Sequence, residues 1–183
     1  MNRQISVIFI VIALLCSACA GNNEYKKKLE EEFLPFKAKT ITLPENMLVE
    51  NCVEQGIADT TLLCRPLKMV VYVNQEGCQD CNLRTLLPVY MFMLENQHLE
   101  NFGVIIILNT FDMEAAAFTL SDMRFNRTVF FDLDGSFERL NPHLPAGEQF
   151  HTFLLNKENK VVLVGNPVHN EKLKSLYLSE MNK

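Results

Sequence analysis

The chain has 183 residues, of which 48% are hydrophobic and 21% charged. That balance excludes an intrinsically disordered chain and leaves enough length for one compact domain with a core. The formal net charge of −5 excludes the basic face that nucleic-acid binding requires, and it disfavours electrostatic docking on an acidic membrane surface. There is no Trp and no internal repeat, and the six cysteines call for an account.

The segment Met1–Gln4 carries one positive charge, Arg3, and residues 5–15 (ISVIFIVIALL) are apolar without a break. Even extended to Ala20, this run is shorter than the roughly 18 residues of a spanning helix. A short apolar run behind a positive end, closed by small residues, predicts an export signal over residues 1–18. The closing residues Leu15-Cys16-Ser17-Ala18-Cys19 resemble a bacterial lipobox, which implies lipidation at Cys19 and a membrane anchor. An ordinary signal cut near Ala20 is the alternative. Export places the protein in the cell envelope, facing an oxidising periplasm where thiols tend to pair. With Cys16 removed and Cys19 lipidated, Cys52, Cys64, Cys78 and Cys81 remain. Their spacing leans towards 52–64 and 78–81, with two buried free thiols at 52 and 64 as the alternative.

Residues 19–36 are the lipidated N-terminus and a charged tether, whose stretch 22–35 has the spacing of a short solvated helix. One domain follows over 37–183. Residues 37–43 (KAKTITL) alternate and predict an extra N-terminal strand, and turn residues then run to about 66. Met69–Val73 is a β-rich run. A helix is expected over Cys81–Asn96, kinked by Pro88. Gly103–Leu108 is apolar throughout, as in a strand buried on both faces. Met113–Arg124 predicts a second helix, and Thr128–Phe131 another strand. Residues 132–149 read as loop with a helical turn; Asp134-Gly135 marks a turn and leaves little for a cation site at Asp132 and Asp134. His151–Leu155 and Lys160–Val164 form a hairpin, and His169–Met181 a last amphipathic helix. The expected class is α/β, with a central mixed sheet flanked by helices.

Gly77-Cys78-Gln79-Asp80-Cys81 puts a C-x-x-C where a strand meets a helix. Two cysteines three apart on a first helical turn can close a small disulfide. The unpaired N–H groups there stabilise a thiolate, which predicts Cys78 as the exposed nucleophile and Cys81 as the more buried resolving thiol. The carboxylate of Asp80 in the same turn works against that thiolate. No cofactor motif is present.

Three stretches, MVVYVNQEGCQDCNL, VFFDLDGSFERLN and FHTFLLNKENKVVLVGNP, resemble the bacterial membrane-anchored thioredoxin-like proteins of the TlpA type, in particular a lipoprotein branch. The resemblance runs from about Leu67 to the C-terminus. It implies a thioredoxin-like fold and thiol–disulfide oxidoreductase activity at Cys78 and Cys81, with a redox partner protein or a disulfide-bearing client. It also places His151 and Thr152 in the substrate-facing loop, where the family carries a cis-proline; a trans bond is the default before His151. His151 could serve as a base or complete a Cys₂His site, although an oxidising compartment favours the disulfide and no metal is expected. The second reading is a non-catalytic protein-binding module whose disulfides are structural.

Overall fold

The computed structural model describes residues 31, 33–53, 58–74 and 78–183. The expected signal, Cys16, Cys19, most of the charged tether, and residues 54–57 and 75–77 lie outside the described residues. The chain divides into two compact units, residues 1–35 and 36–183, and the second carries the fold.

Six strands form one sheet: β1 (Leu48–Asn51), β2 (Leu67–Val73), β3 (Phe102–Leu108), β4 (Thr128–Phe131), β5 (Thr152–Leu155) and β6 (Val161–Val164). The order across the sheet is β1-β4-β3-β2-β5-β6. β2, β3 and β4 are mutually parallel, while β1, β5 and β6 pair antiparallel at the two flanks. The sheet is therefore mixed, as expected. The helices are α1 (Gln79–Arg84), α2 (Leu86–Asn96), α3 (Met113–Asp122), α4 (Ser136–Leu140) and α5 (Glu171–Met181).

Alternation along the strands sorts the core into two layers. Met69, Val71, Val104, Ile106, Val129, Phe131 and Leu154 meet Leu83, Leu86, Val89 and Phe92 of the motif helices, Ala116 and Leu120 of α3, and Tyr177 of α5. The opposite face carries Val70, Tyr72, Ile105, Ile107, Phe130 and Phe153, all buried. Phe36 stands edge-on to Phe153 there at 5.2 Å, and Phe137 of α4 lies 4.9 Å from Tyr72. A sheet covered on both sides is why β3 is apolar at every position.

Two expectations are corrected. Residues 37–43 do not form a strand: they make one bridge, Thr40 to Lys160, and a few backbone bonds along β6, and Ala38 at φ 71° breaks the extended run. The extra strand is instead β1, which pairs with β4. The anticipated Cys52–Cys64 bond is also absent; both thiols are free. Cys52 follows β1, and Cys64 ends the 3₁₀ turn Thr60–Cys64 that leads into β2. β4 and β3 lie between those two strands, three strand spacings or about 14 Å, against the roughly 7 Å that a disulfide spans between Cα atoms. The two thiols differ sharply. Cys52 packs against the core, where burial and the Glu50 carboxylate push its thiol up to about 11, while Cys64 is exposed. Alkylation of the full chain at pH 8, followed by peptide mapping, should label Cys64 well before Cys52, whose thiolate fraction is about one in a thousand.

Candidate active site

The parallel strand β2 ends at Val73, and the chain re-enters regular structure at Cys78. Cys78 has an extended backbone (φ −84°, ψ 105°) and is the N-cap of α1. Its Sγ accepts the backbone N–H of Cys81 at 3.3 Å, and its carbonyl accepts that of Asn82 at 3.0 Å. Sulfur thus takes the place of the usual capping oxygen, so one of the helix's orphan N–H groups points at it. Cys78 and Cys81 are joined by a disulfide, with Cα atoms 5.2 Å apart.

Both cysteines fall among the exposed residues, Cys81, expected to be the more buried of the two, included. The helix explains the exposure of Cys81. Its inward face is fixed by Leu83, which is fully buried, and two residues at 100° each turn Cys81 to the opposite side. Thr85 separates α1 from α2, and its N–H bonds the carbonyls of Asn82 and Leu83. Pro88 lies one turn further on, so the expected kink appears as a break into two helices. The Asp80 side chain accepts the Thr119 hydroxyl of α3 at 2.9 Å, which ties the motif helix to its neighbour.

His151 and Thr152 stand at the same end of β2 as the motif, since Thr152 pairs with Val71 and the His151 carbonyl accepts the Tyr72 N–H. With Tyr72, Asn82, Thr85 and Glu148 they line a cleft of about 450 Å³ beside α1. Both are buried, at 5% and 6% exposure. There is no cis peptide among the described residues, so the bond before His151 is trans. Its Nε2 donates to the Pro145 carbonyl at 2.8 Å; a carbonyl only accepts, which assigns the proton to Nε2. That nitrogen is committed to the loop. Among the described residues no cluster of three or more His, Cys, Asp or Glu side chains is arranged to hold a metal ion.

One group near the motif had no sequence signal beyond a place in an apolar strand. Tyr72 is 3% exposed, its hydroxyl donates to Glu138 of α4 at 2.9 Å, and Asn109 Nδ2 donates to it at 3.2 Å. Burial pushes the Tyr72 hydroxyl up, so it stays protonated and links β2, the loop after β3 and α4 beneath the cleft. Asp132 is likewise structural. Buried at 1% exposure, its carboxylate accepts the Ser136 N–H at 2.9 Å, the Ser136 hydroxyl at 2.7 Å and the Phe137 N–H at 3.0 Å. The turn at Asp134-Gly135 is as expected, with Gly135 at φ 66° and Asp134 paired to Arg139 at 2.9 Å.

No protein-family model matches the chain, and no curated protein matches it in sequence. Solved structures do. A Chlorobium tepidum protein described as a "putative Thiol:disulfide interchange protein DsbE" superposes with a TM-score of 0.57 at 16% identity, covering 79% of this chain and 97% of its own. The thioredoxin domain of a thiol-disulfide oxidoreductase from Bacteroides vulgatus gives 0.51 at 9% identity, covering 76% and 99%. At these identities the likeness speaks for architecture: a mixed six-stranded sheet, helices on both faces, and a cysteine pair where β2 gives way to α1 make this a thioredoxin-like fold.

Proposed function

We propose that the protein is a thiol–disulfide oxidoreductase, anchored by lipid at Cys19 and facing the periplasm, that exchanges electrons through Cys78 and Cys81. The observation that carries this is the capped geometry: an exposed Cys78 sulfur receiving a backbone N–H at a helix start. That environment favours a thiolate, and the thiolate is the attacking species. In the reduced protein, Cys78 Sγ attacks a client disulfide, forming a mixed disulfide and releasing the client's other sulfur as a thiol. Cys81 then attacks Cys78 Sγ, releasing the client thiol and closing the internal bond. Two electrons pass from the cysteine pair to the client, and the reverse sequence oxidises a dithiol. The names carried by the structural neighbours, an interchange protein and an oxidoreductase, agree with this reading.

Equilibrating the full chain in redox buffers tests it. A midpoint for Cys78–Cys81 above about −300 mV is expected; one well below marks a structural bond and a non-catalytic module. For the anchor, mass analysis of protein purified from the producing cell should find an acylated Cys19 as the N-terminus. An unmodified N-terminus near Ala20 would mean ordinary secretion.

A further inference from the structure

This inference rests on the exchange reading and concerns what sets the redox balance of the pair. Cys78 caps α1 and Asp80 is the second residue of that helix, so sulfur and carboxylate stand at the same helix start. Both can accept the orphan N–H groups there, and both are drawn to the positive end of the dipole. They are sorted by their partners. The Cys81 N–H goes to Cys78 Sγ, whereas the Asp80 carboxylate accepts the Thr119 hydroxyl at 2.9 Å.

Thr119 is a firm anchor for that bond. It is buried in the interior of α3, where the fully buried Ala116 and Leu120 fix the helix against the core. A threonine hydroxyl in mid-helix either points to solvent or donates to the carbonyl four residues back, here that of Ala115. It has a single proton to give, and this one crosses to α1 instead.

We propose that Thr119 is a positioning residue for disulfide exchange: by holding the Asp80 carboxylate against α3, it keeps that charge off the start of α1 and leaves the capping N–H to Cys78 Sγ. Without the hydroxyl, the carboxylate can turn towards the same N–H groups. A negative charge there disfavours the Cys78 thiolate. The dithiol is then destabilised relative to the disulfide, and the pair becomes more reducing.

The test equilibrates full-chain variants with glutathione at pH 7. The oxidised protein takes two electrons from two glutathione thiols, giving the dithiol and glutathione disulfide. Thr119→Val, which keeps the shape and removes the hydroxyl, should shift the equilibrium constant about fivefold towards the protein disulfide, a potential lower by about 20 mV. Thr119→Ser should restore the wild-type value. Asp80→Asn removes the charge and should shift the constant the other way, and adding Thr119→Val to it should change nothing more. Arg84 at the end of α1, and Glu148 and His169 in the cleft, are the same in every variant, so the comparison isolates the Asp80–Thr119 pair. If Val does not pack, Thr119→Ala carries the same expectation. A merely structural bond would lower the unfolding midpoint of Thr119→Val and leave the constant where it was. That result, or an equal shift when Asp80→Asn is already present, overturns the positioning role and leaves the exchange reading standing. A wild-type pair that glutathione fails to reduce overturns both.

Discussion

Replacing Cys78 by Ser should lower insulin reduction by at least about a hundredfold, to background, because it removes the sulfur that receives the capping N–H at the start of α1. Replacing Cys81 should do something different. Cys78 still attacks, but no thiol within the motif resolves the product, so the protein should accumulate as a mixed disulfide with its client, visible as a reducible band of higher mass. The contrast matters more than either loss. A structural bond would leave both variants equally inert and no adduct in either. Since both cysteines are exposed, small thiols can also attack the oxidised pair. The adduct in Cys81→Ser sits on the exposed Cys78, so added glutathione should clear it faster than waiting. Insulin reduction by Cys78→Ser at the wild-type rate would end the catalytic reading.

Asp132→Ala should cost about 3 kcal/mol of stability, the largest single effect expected from a residue that makes no contact with the cysteines. Three donors converge on its buried carboxylate, and the Ser136 and Phe137 N–H groups open α4. Ala leaves them without that acceptor inside the protein, and a methyl group cannot restore it. Thermal or urea unfolding of the variant measures the loss; a midpoint lowered by roughly 6–12 °C is the corresponding shift for a domain of this size. Asp132→Asn, which keeps one carbonyl acceptor, should fall between the two. An unchanged midpoint for the Ala variant would mean the carboxylate is dispensable to the cap.

The parts of the fold readable from sequence are those where local pattern and tertiary environment agree. β3 is apolar throughout and β4 carries Val129, Phe130 and Phe131 in a row because the sheet is covered on both sides, and such runs are visible without any partner. The hairpin β5–β6 declares itself through Asn156 and Asn159, the latter at φ 57°. Residues 37–43 alternate as a strand would, but a neighbour with free edge bonds is a tertiary fact, and only one bridge to β6 is formed. β1 has a mixed burial pattern at a sheet edge, with no period to detect. The site was legible to the same depth. The C-x-x-C between strand and helix put Cys78 at the start of α1, where it is the N-cap. The exposure of Cys81 depends on the rotational phase of a six-residue helix, set by Leu83. The pairing of Cys52 with Cys64 failed because sequence spacing does not reveal that two strands intervene. Tyr72 and Lys68 sit in a strand where an apolar role is the simplest guess. Their polar ends find Glu138 and Asn109 in one case, and the carbonyls of Arg65 and Asn156 in the other.

The interruption at Thr85 has a mechanical consequence. An unbroken rod from Cys78 to Asn96 would pass every rearrangement at the sulfurs down its length into the main hydrophobic layer. Here the six-residue segment has its own start and its own stop, and α2 begins afresh with Leu86, Val89 and Phe92 already locked against the sheet. Making and breaking the sulfur bond can thus be confined to a short segment held by Leu83 and by the Asp80–Thr119 bond, leaving the seat of the long helix unchanged.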